Sequence, residues 1–333
     1  MTATRVCALS ELEQDSALRV EVDGVAICVV RDSNDEVHAI GDRYMREMQG
    51  RPMAVGPESL ADQLTWPGRN LDLDVPLVLH DGRIVAFGSA WATPPYNEIP
   101  FGAGIDLDLD PATADRVRRT LVECALAAAR YYDAVGGADP DRHVCFTVLE
   151  RDAAMAAAVD AYGFRFTRQV LLMEIDQRET AVPEPVWPAE VRVRPLAVED
   201  AAVVGELLRD AFSEHPGDND NSDEQVASFL SEPTARLDLG LLVEDDQGAV
   251  AVIVSDEQVD GGYVGVLGVR ARARGQGLGT SLLRHVFRGF ASEGQPVVRL
   301  HVEQENTTGA VRLYESAGMH PAHATHVWTR PIA

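Results

Sequence analysis

Apolar residues along this chain recur at two spacings. In the last third, Val264, Val266, Leu267 and Val269 make an apolar strand. Leu282, Leu283, Val286, Phe287 and Phe290 then fall on one face of a helix. Between them lies a basic turn that becomes a glycine-rich helix entry, RARARGQGLG (270–279). A second strand is predicted at Val297–Val302. A helix follows, with Asn306 as N-cap, Ala310 and Tyr314 on one face, and Gly318 as its end. Upstream, Val191–Arg194 reads as a strand, and Ala201, Val204, Leu207, Leu208 and Ala211 predict a helix from about Glu199 to Phe212.

The same order is legible earlier in the chain. LVLHDGRIVAFG (77–88) parallels LLVEDDQGAVAVIV (241–254), each a hairpin around an acidic-Gly turn. Ala112–Tyr132 reads as a long alanine-rich helix and Val144–Leu149 as a strand. ERDAAMAAAVDAYGF (150–164) parallels ENTTGAVRLYESAGM (305–319), Gly163 matching Gly318. Ala181–Glu190 carries three prolines and reads as a stiff linker between the copies. Ahead of the first copy, Ala17–Arg31 predicts two strands joined at Asp23-Gly24, and Val37–Ile40 reads as a third.

The candidate chemistry starts at the helix entry. Arg274, Gly277 and Gly279 form an R-x-x-G-x-G pattern. Glycines let a diphosphate approach the backbone, and the free N–H groups of a new helix favour negative charge. A P-loop is excluded because the chain contains no lysine, and a Rossmann fingerprint lacks its third glycine, since position 280 is Thr280.

This loop, the next strand, Asn306, the Leu313-Tyr314 pair and Gly318 resemble, in order and spacing, the GCN5-related N-acetyltransferase (GNAT) family. Met319 stands where the family usually has Phe. The repeat makes the chain similar to the tandem type that includes mycothiol synthase. The resemblance implies an α/β fold of two GNAT-type domains, each a mixed, mostly antiparallel sheet flanked by helices. The expected limits are 1–180 for a degenerate N-terminal domain, 181–190 for the linker and 191–333 for the active domain. It also implies acetyl-CoA as co-substrate and a small-molecule amine as acceptor. The backbone at Leu267, Gly268 and Val269 would hold pantetheine. Arg274, Gly275, Gln276, Gly277, Leu278, Gly279 and Thr280 would hold the pyrophosphate, and Asn306 would fix the cofactor arm. Tyr314 would protonate the departing thiolate. The tandem type places a catalytic glutamate where Tyr263 stands here, so Glu303, His301 or a water chain remain as the base, with Glu303 carried forward. The rival reading is a non-catalytic acyl-CoA sensor or interaction module.

The first copy differs where chemistry would occur. DLDLDPATADR (106–116) replaces the glycine loop, so Asp106, Asp108, Asp110 and Asp115 would repel a pyrophosphate. Val159 stands at the place of Tyr314, and Arg151 at that of Asn306. A structural role, extending the sheet or shaping the acceptor cleft, is expected for that copy.

Composition adds limits. A length of 333 residues fits two domains, and 46% hydrophobic content suffices for packed cores. The net charge of −24, with all 29 basic residues arginine, argues against nucleic acid and permits attraction of a cationic substrate, although an acidic, Arg-for-Lys composition imposed by a high-GC genome or a salty cytosol explains it more simply. No long apolar run or basic-headed leader is present, so a cytoplasmic protein without membrane association is expected. Cys7, Cys28, Cys124 and Cys145 lack C-x-x-C spacing and read as free thiols. The acidic loop around Asp218, Asp220, Asp223 and Glu224 reads as a solvated face or an ammonium-facing rim. It departs from a calcium loop at Asp223 and Phe229, and no metal site is expected. Residues 5–43, ending in Gly41-Asp42-Arg43, weakly resemble the opening hairpins of Rieske-type ferredoxins. Tyr44 and Arg46 occupy the iron-ligand positions, which implies a ligand-free β segment over 1–45.

Overall fold

The computed structural model describes residues 17–22, 25–30, 34–51, 71–81, 83–90, 92, 97–137, 139–213, 221–305 and 309–332. The chain divides into two compact units, Met1–Val170 with Ala324–Ala333, and Leu171–His323.

In the first unit, six strands lie in chain order across the sheet: β1 (Ala17–Val22), β2 (Val25–Val30), β3 (Leu77–His80), β4 (Arg83–Ala90), β5 (Glu98–Ile105) and β6 (His143–Leu149). Neighbours pair antiparallel except β5 with β6, which run parallel from Glu98↔His143 to Phe101↔Phe146. The helices are α1 (Asn34–Gln49), α2 (Leu71–Asp74), α3 (Pro111–Gly136) and α4 (Ala153–Ala161). Helix α3 starts where Asp110 accepts the amides of Ala112 and Thr113 ahead of Pro111, a strong helix-start signal. Its apolar face, Val117, Leu121, Ala125, Ala128 and Tyr132, is buried in the unit's core. Small alanines let the helix lie close on the sheet.

The second unit places β8 (Arg192–Pro195), β9 (Leu241–Asp245), β10 (Gly248–Gln258), β11 (Gly261–Val269) and β12 (Val297–Glu303) side by side. The first four pair antiparallel, and β11 runs parallel to β12. Its helices are α5 (Ala201–Ala211), α6 (Asp223–Leu230), α7 (Leu278–Ser292) and α8 (Ala310–Ser316). Helix α5 buries Val204, Leu207 and Leu208 against Val252 and Val254 of β10. Helix α7 buries Leu282, Leu283, Val286, Phe287 and Phe290, the apolar face read from the sequence. This β-hairpin, strand, helix, parallel strand and helix order repeats the first unit's, as the internal similarity predicted.

Two elements differ from the sequence expectation. Val37–Ile40 lies in helix α1 rather than a third strand, since the apolar Val37, Ile40, Tyr44 and Met48 follow a helical spacing. Tyr44, at a supposed iron-ligand place, is buried and donates to Asp152 at 2.6 Å. The compact division also falls before the proline-rich segment, which lies against α7. There Ser281 Oγ donates to the Val186 carbonyl at 2.6 Å, and Arg288 bonds the Val182 carbonyl and Glu184. β7 (Arg165–Asp176) begins in the first unit and ends in the second, and β13 (His320–Pro331) does the reverse. Thr325–Pro331 pair rung by rung with β6, so these last residues complete the first unit's sheet.

Candidate functional site

The second unit's site begins where β11 and β12 part. They pair only at Gly262↔Val298 and Tyr263↔Arg299. Past that point β11 stays hydrogen-bonded to β10 on its other side, out to Val269. The divergence leaves a strand edge facing a cleft of about 690 Å3, lined by β11 from Val264 to Leu267, Val269, and β12 from Leu300 to Glu303. Unpaired amides and carbonyls along such an edge can bind an extended ligand arm.

The cleft runs on to the start of α7. Gly275 (φ 77°) and Gly277 (φ 81°) are left-handed, a conformation costly for residues with a Cβ. That turn delivers Leu278 into the core and leaves the first amides of α7 without intrahelical acceptors, since the ladder starts with Ser281 N–H to the Gly277 carbonyl. Gly279 has a different reason to be glycine. It is helical and buried, and a Cβ there would sit 3.0 Å from Leu313 Cδ2 on α8. Arg274 bonds the carbonyls of Ala211 (2.8 Å) and Val269 (3.3 Å) through Nη2 and Nε, tying the loop to α5 and the end of β11.

Tyr314 reaches the same cleft from α8, together with Ala310 and Leu313. Gly318, at φ 100°, reverses the chain so that the Met319 amide caps the Tyr314 carbonyl at 3.0 Å. Burial, with a lesser effect of neighbouring Tyr263, pushes the Tyr314 hydroxyl up to about 12. It therefore remains a proton donor throughout the neutral range. His301 and Glu303, two apart on β12, both line the cleft, and His301 Nδ1 lies 2.9 Å from the Tyr263 hydroxyl.

Of the residues expected to serve the site, Leu267, Val269, Arg274, Gly275, Gly277, Leu278, Gly279, Thr280, Glu303 and Tyr314 line this one cleft. Gly268 does not. It is buried, and a Cβ there would meet Leu208 of α5 at 2.8 Å, which accounts for glycine at that position. Gln276 is exposed outside the lining. Asn306 lies outside the described residues, and α8 begins at Ala310 with Gly309 as its N-cap. Asp218 and Asp220 also lie outside them, while Asp223 pairs with Arg209. Sequence reasoning missed Asp256, which stands directly across from Tyr263 in the β10–β11 ladder.

The first unit differs at the corresponding strands. β5 and β6 stay paired over four rungs, and Phe101, Phe146 and Phe164 pack together there, all fully buried. Val159, matching Tyr314, is also in this core. Asp106 and Asp108 pair with Arg43. Among the described residues, Glu98, His143 and Cys145 bring three metal-capable side chains within 4.8 Å. Glu98 is already bound there by Arg168 at 2.8 Å, and His143, followed by Arg168, holds its carboxyl down at about 2.

Comparison with known proteins agrees with this geometry. Residues 203–319 match the acetyltransferase (GNAT) family. Over 261 residues the chain is 30% identical to a mycothiol acetyltransferase of Nocardia farcinica (strain IFM 10152), an alignment covering 74% of this chain and 79% of that protein. Among solved structures it is similar to a GCN5-related N-acetyltransferase from Sphaerobacter thermophilus, with a TM-score of 0.73, 23% identity and coverage of 91% and 94% of the two chains. It is also similar to a tandem GNAT protein from the clavulanic acid biosynthesis pathway, with a TM-score of 0.63, 16% identity and coverage of 91% and 96%. Both structures share its fold. Among the described residues, no helix is long and apolar enough to cross a membrane.

Proposed function

The chain belongs to the acetyltransferase (GNAT) family and uses acetyl-CoA as co-substrate, and on that premise we propose that its second unit alone catalyses acetyl transfer, to the amine of a small molecule. The observation that carries this reading is the convergence of three features on one cleft. They are a strand edge left open by β11 and β12, the amide-rich start of α7, and the Tyr314 hydroxyl. The first unit shows the same element order, but its β5 and β6 stay paired for longer and carry the buried Phe101 and Phe146 in ring contact.

The residues present fit the co-substrate. The left-handed glycines bare the first amides of α7 toward the cleft, which suits a pyrophosphate. The free edge of β11 suits the amide-bearing pantetheine arm, and its N–H groups would polarise the thioester carbonyl. Arg274 shapes the loop through its carbonyl contacts. The amine attacks the carbonyl carbon, and Tyr314 protonates the sulfur as the C–S bond breaks. A carboxylate at the cleft receives the amine's proton. The strongly negative chain favours a cationic acceptor. The relatives' name suggests trying a mycothiol-type amine, although Tyr263 at the place of that type's glutamate speaks against it.

The test is release of free CoA thiol by the full chain against polyamines, amino sugars, aminoglycosides and amino acid amides. Turnover with one class, lost in Tyr314→Phe while acetyl-CoA still binds, supports the proposal. Binding without turnover toward any amine would favour an acyl-CoA sensor instead.

A further inference from the structure

A second carboxyl stands beside this cleft. Asp256 is the rung partner of Tyr263, at the point where β10 and β11 shift register between Val254 and Ser255. On β11 the shift leaves Gly265 unpaired, and Gly265 is exposed on the cleft wall. A Cβ on Gly265 would lie 2.8 Å from Asp256 Oδ2 and 2.8 Å from Phe229 Cζ. Gly265 has no left-handed backbone to explain it, so space is the reason for glycine there. Any side chain at 265 would wall the Asp256 carboxyl off from the cleft.

The other side of Asp256 is closed. Ala235 bridges to it, the Arg236 amide donates to the Ser255 carbonyl, and the Glu257 amide donates to the Thr234 carbonyl, both at 2.8 Å. Asp256 Oδ1 is buried with no hydrogen-bond partner among the described residues. The charged groups around it leave it uncompensated. Glu232, after α6, adds like charge, while Arg236 is bound to Asp238 and Glu293 at 2.6 Å each. A buried carboxylate held this way lacks a compensating cation, and its Oδ2 lies behind Gly265, the residue that lines the cleft at this point.

We propose that Asp256, reached past Gly265, is the proton acceptor for the amine substrate. The inference rests on the transferase reading of the same cleft. The acceptor ammonium gives a proton to the Asp256 carboxylate, and the freed lone pair forms the C–N bond at the thioester carbonyl. The C–S bond then breaks, and the thiolate takes the proton of Tyr314. The new amide nitrogen sheds its second proton, which restores the tyrosine, and Asp256 releases its proton to water. Burial, then the charge of Glu232, pushes the Asp256 carboxyl up to about 7, the range in which a base both accepts and releases protons at neutral pH.

The experiment compares wild type, Asp256→Asn, Asp256→Glu and Glu303→Gln as full chains. Thiol release is read against pH with putrescine, glucosamine, kanamycin and glycinamide as probe amines. Acetyl-CoA affinity is measured in parallel by calorimetry. The proposal expects Asp256→Asn to lose about a hundredfold or more in kcat and to lose the acidic limb centred near neutrality. Acetyl-CoA affinity should hold, Asp256→Glu should recover part of the rate, and Glu303→Gln should keep the limb. An unchanged limb in Asp256→Asn, or its loss in Glu303→Gln, overturns the assignment. Carboxyl-carbon NMR of aspartate-labelled protein decides independently of turnover. A resonance absent from Asp256→Asn that titrates near neutrality supports the proposal, and one titrating below about pH 5 overturns it. Wild type inert toward every probe would instead count against the transferase reading, and the NMR result would still stand.

Discussion

The Tyr263 hydroxyl and His301 Nδ1 meet at 2.9 Å beside the last rung before β11 and β12 separate. The two rings lie 5.7 Å apart, so the pair pins the two strands where the cleft opens. Tyr263 also contributes to holding the Tyr314 hydroxyl high. Removing a raising influence lowers a pKa, so Tyr263→Phe should move the Tyr314 titration downward. Wild type should show no alkaline loss of activity below about pH 10, the ordinary tyrosine value. In Tyr263→Phe that loss begins at lower pH, as a pH–kcat profile would reveal.

Tyr314→Phe keeps the ring that packs on the cleft wall and removes only the proton. The expected cost is about a hundredfold to ten-thousandfold in kcat. The calorimetric Kd for acetyl-CoA should stay within about twofold, because a hydroxyl that acts on the departing sulfur contributes little to ground-state binding. A matched loss of affinity and rate would assign Tyr314 to binding.

The three glycines of the loop should fail in different ways. Gly277→Ala forces a Cβ into a left-handed turn, costing on the order of 1–2 kcal/mol. Gly279→Ala meets Leu313 at 3.0 Å and should push α8, and Tyr314 with it. The first change should raise the KM for acetyl-CoA, the second should lower kcat more than it raises KM, and steady-state kinetics separates them. Gly275→Ala should resemble Gly277→Ala.

Much of this was legible in the sequence because it depends on local pattern. The helical spacing from Leu282 to Phe290, the glycine entry at 275–279 and the match of Gly163 to Gly318 all specify elements within a few turns of themselves. The rest needs register. Asp256 pairs with Tyr263, and the register shift between Val254 and Ser255 leaves Gly265 unpaired beside it, so no spacing rule reports that this carboxyl lies behind a missing Cβ. Val37–Ile40 misled because a short apolar run fits either period, and the contacts made by Tyr44 belong to a helix.

Asp256 should leave a mark on stability as well as rate. Its folded pKa of about 7 lies above the ordinary aspartate value of about 3.9. The stability it contributes is therefore fully present below about pH 4 and is lost as pH rises through about 7. Asp256→Asn should gain several degrees in Tm over wild type at pH 8, with a smaller difference at pH 5. Glu232→Gln should lower the acidic limb of the rate profile, since it removes a like charge. Thermal scans across pH test the first statement, and kinetics the second.

In the first unit, Asp152 caps α4 through the Met155 amide at 2.9 Å and accepts the buried Tyr44 hydroxyl at 2.6 Å. Asp152→Ala removes both and should cost about 2–3 kcal/mol in unfolding. If this unit takes no part in the chemistry, the KM for acetyl-CoA should not change at a temperature where the variant is folded. Chemical denaturation and initial rates provide the two readings.

If only the second unit is active, one acetyl-CoA should bind per chain, at the start of α7. Calorimetric titration of the full chain, wild type against Gly277→Asp, tests it most directly. Aspartate tolerates a left-handed backbone better than most residues and sets a negative charge where the pyrophosphate would rest. One site is expected in the wild type and none in the variant at the same concentrations. Two sites in the wild type, or an unaltered isotherm in Gly277→Asp, would contradict it.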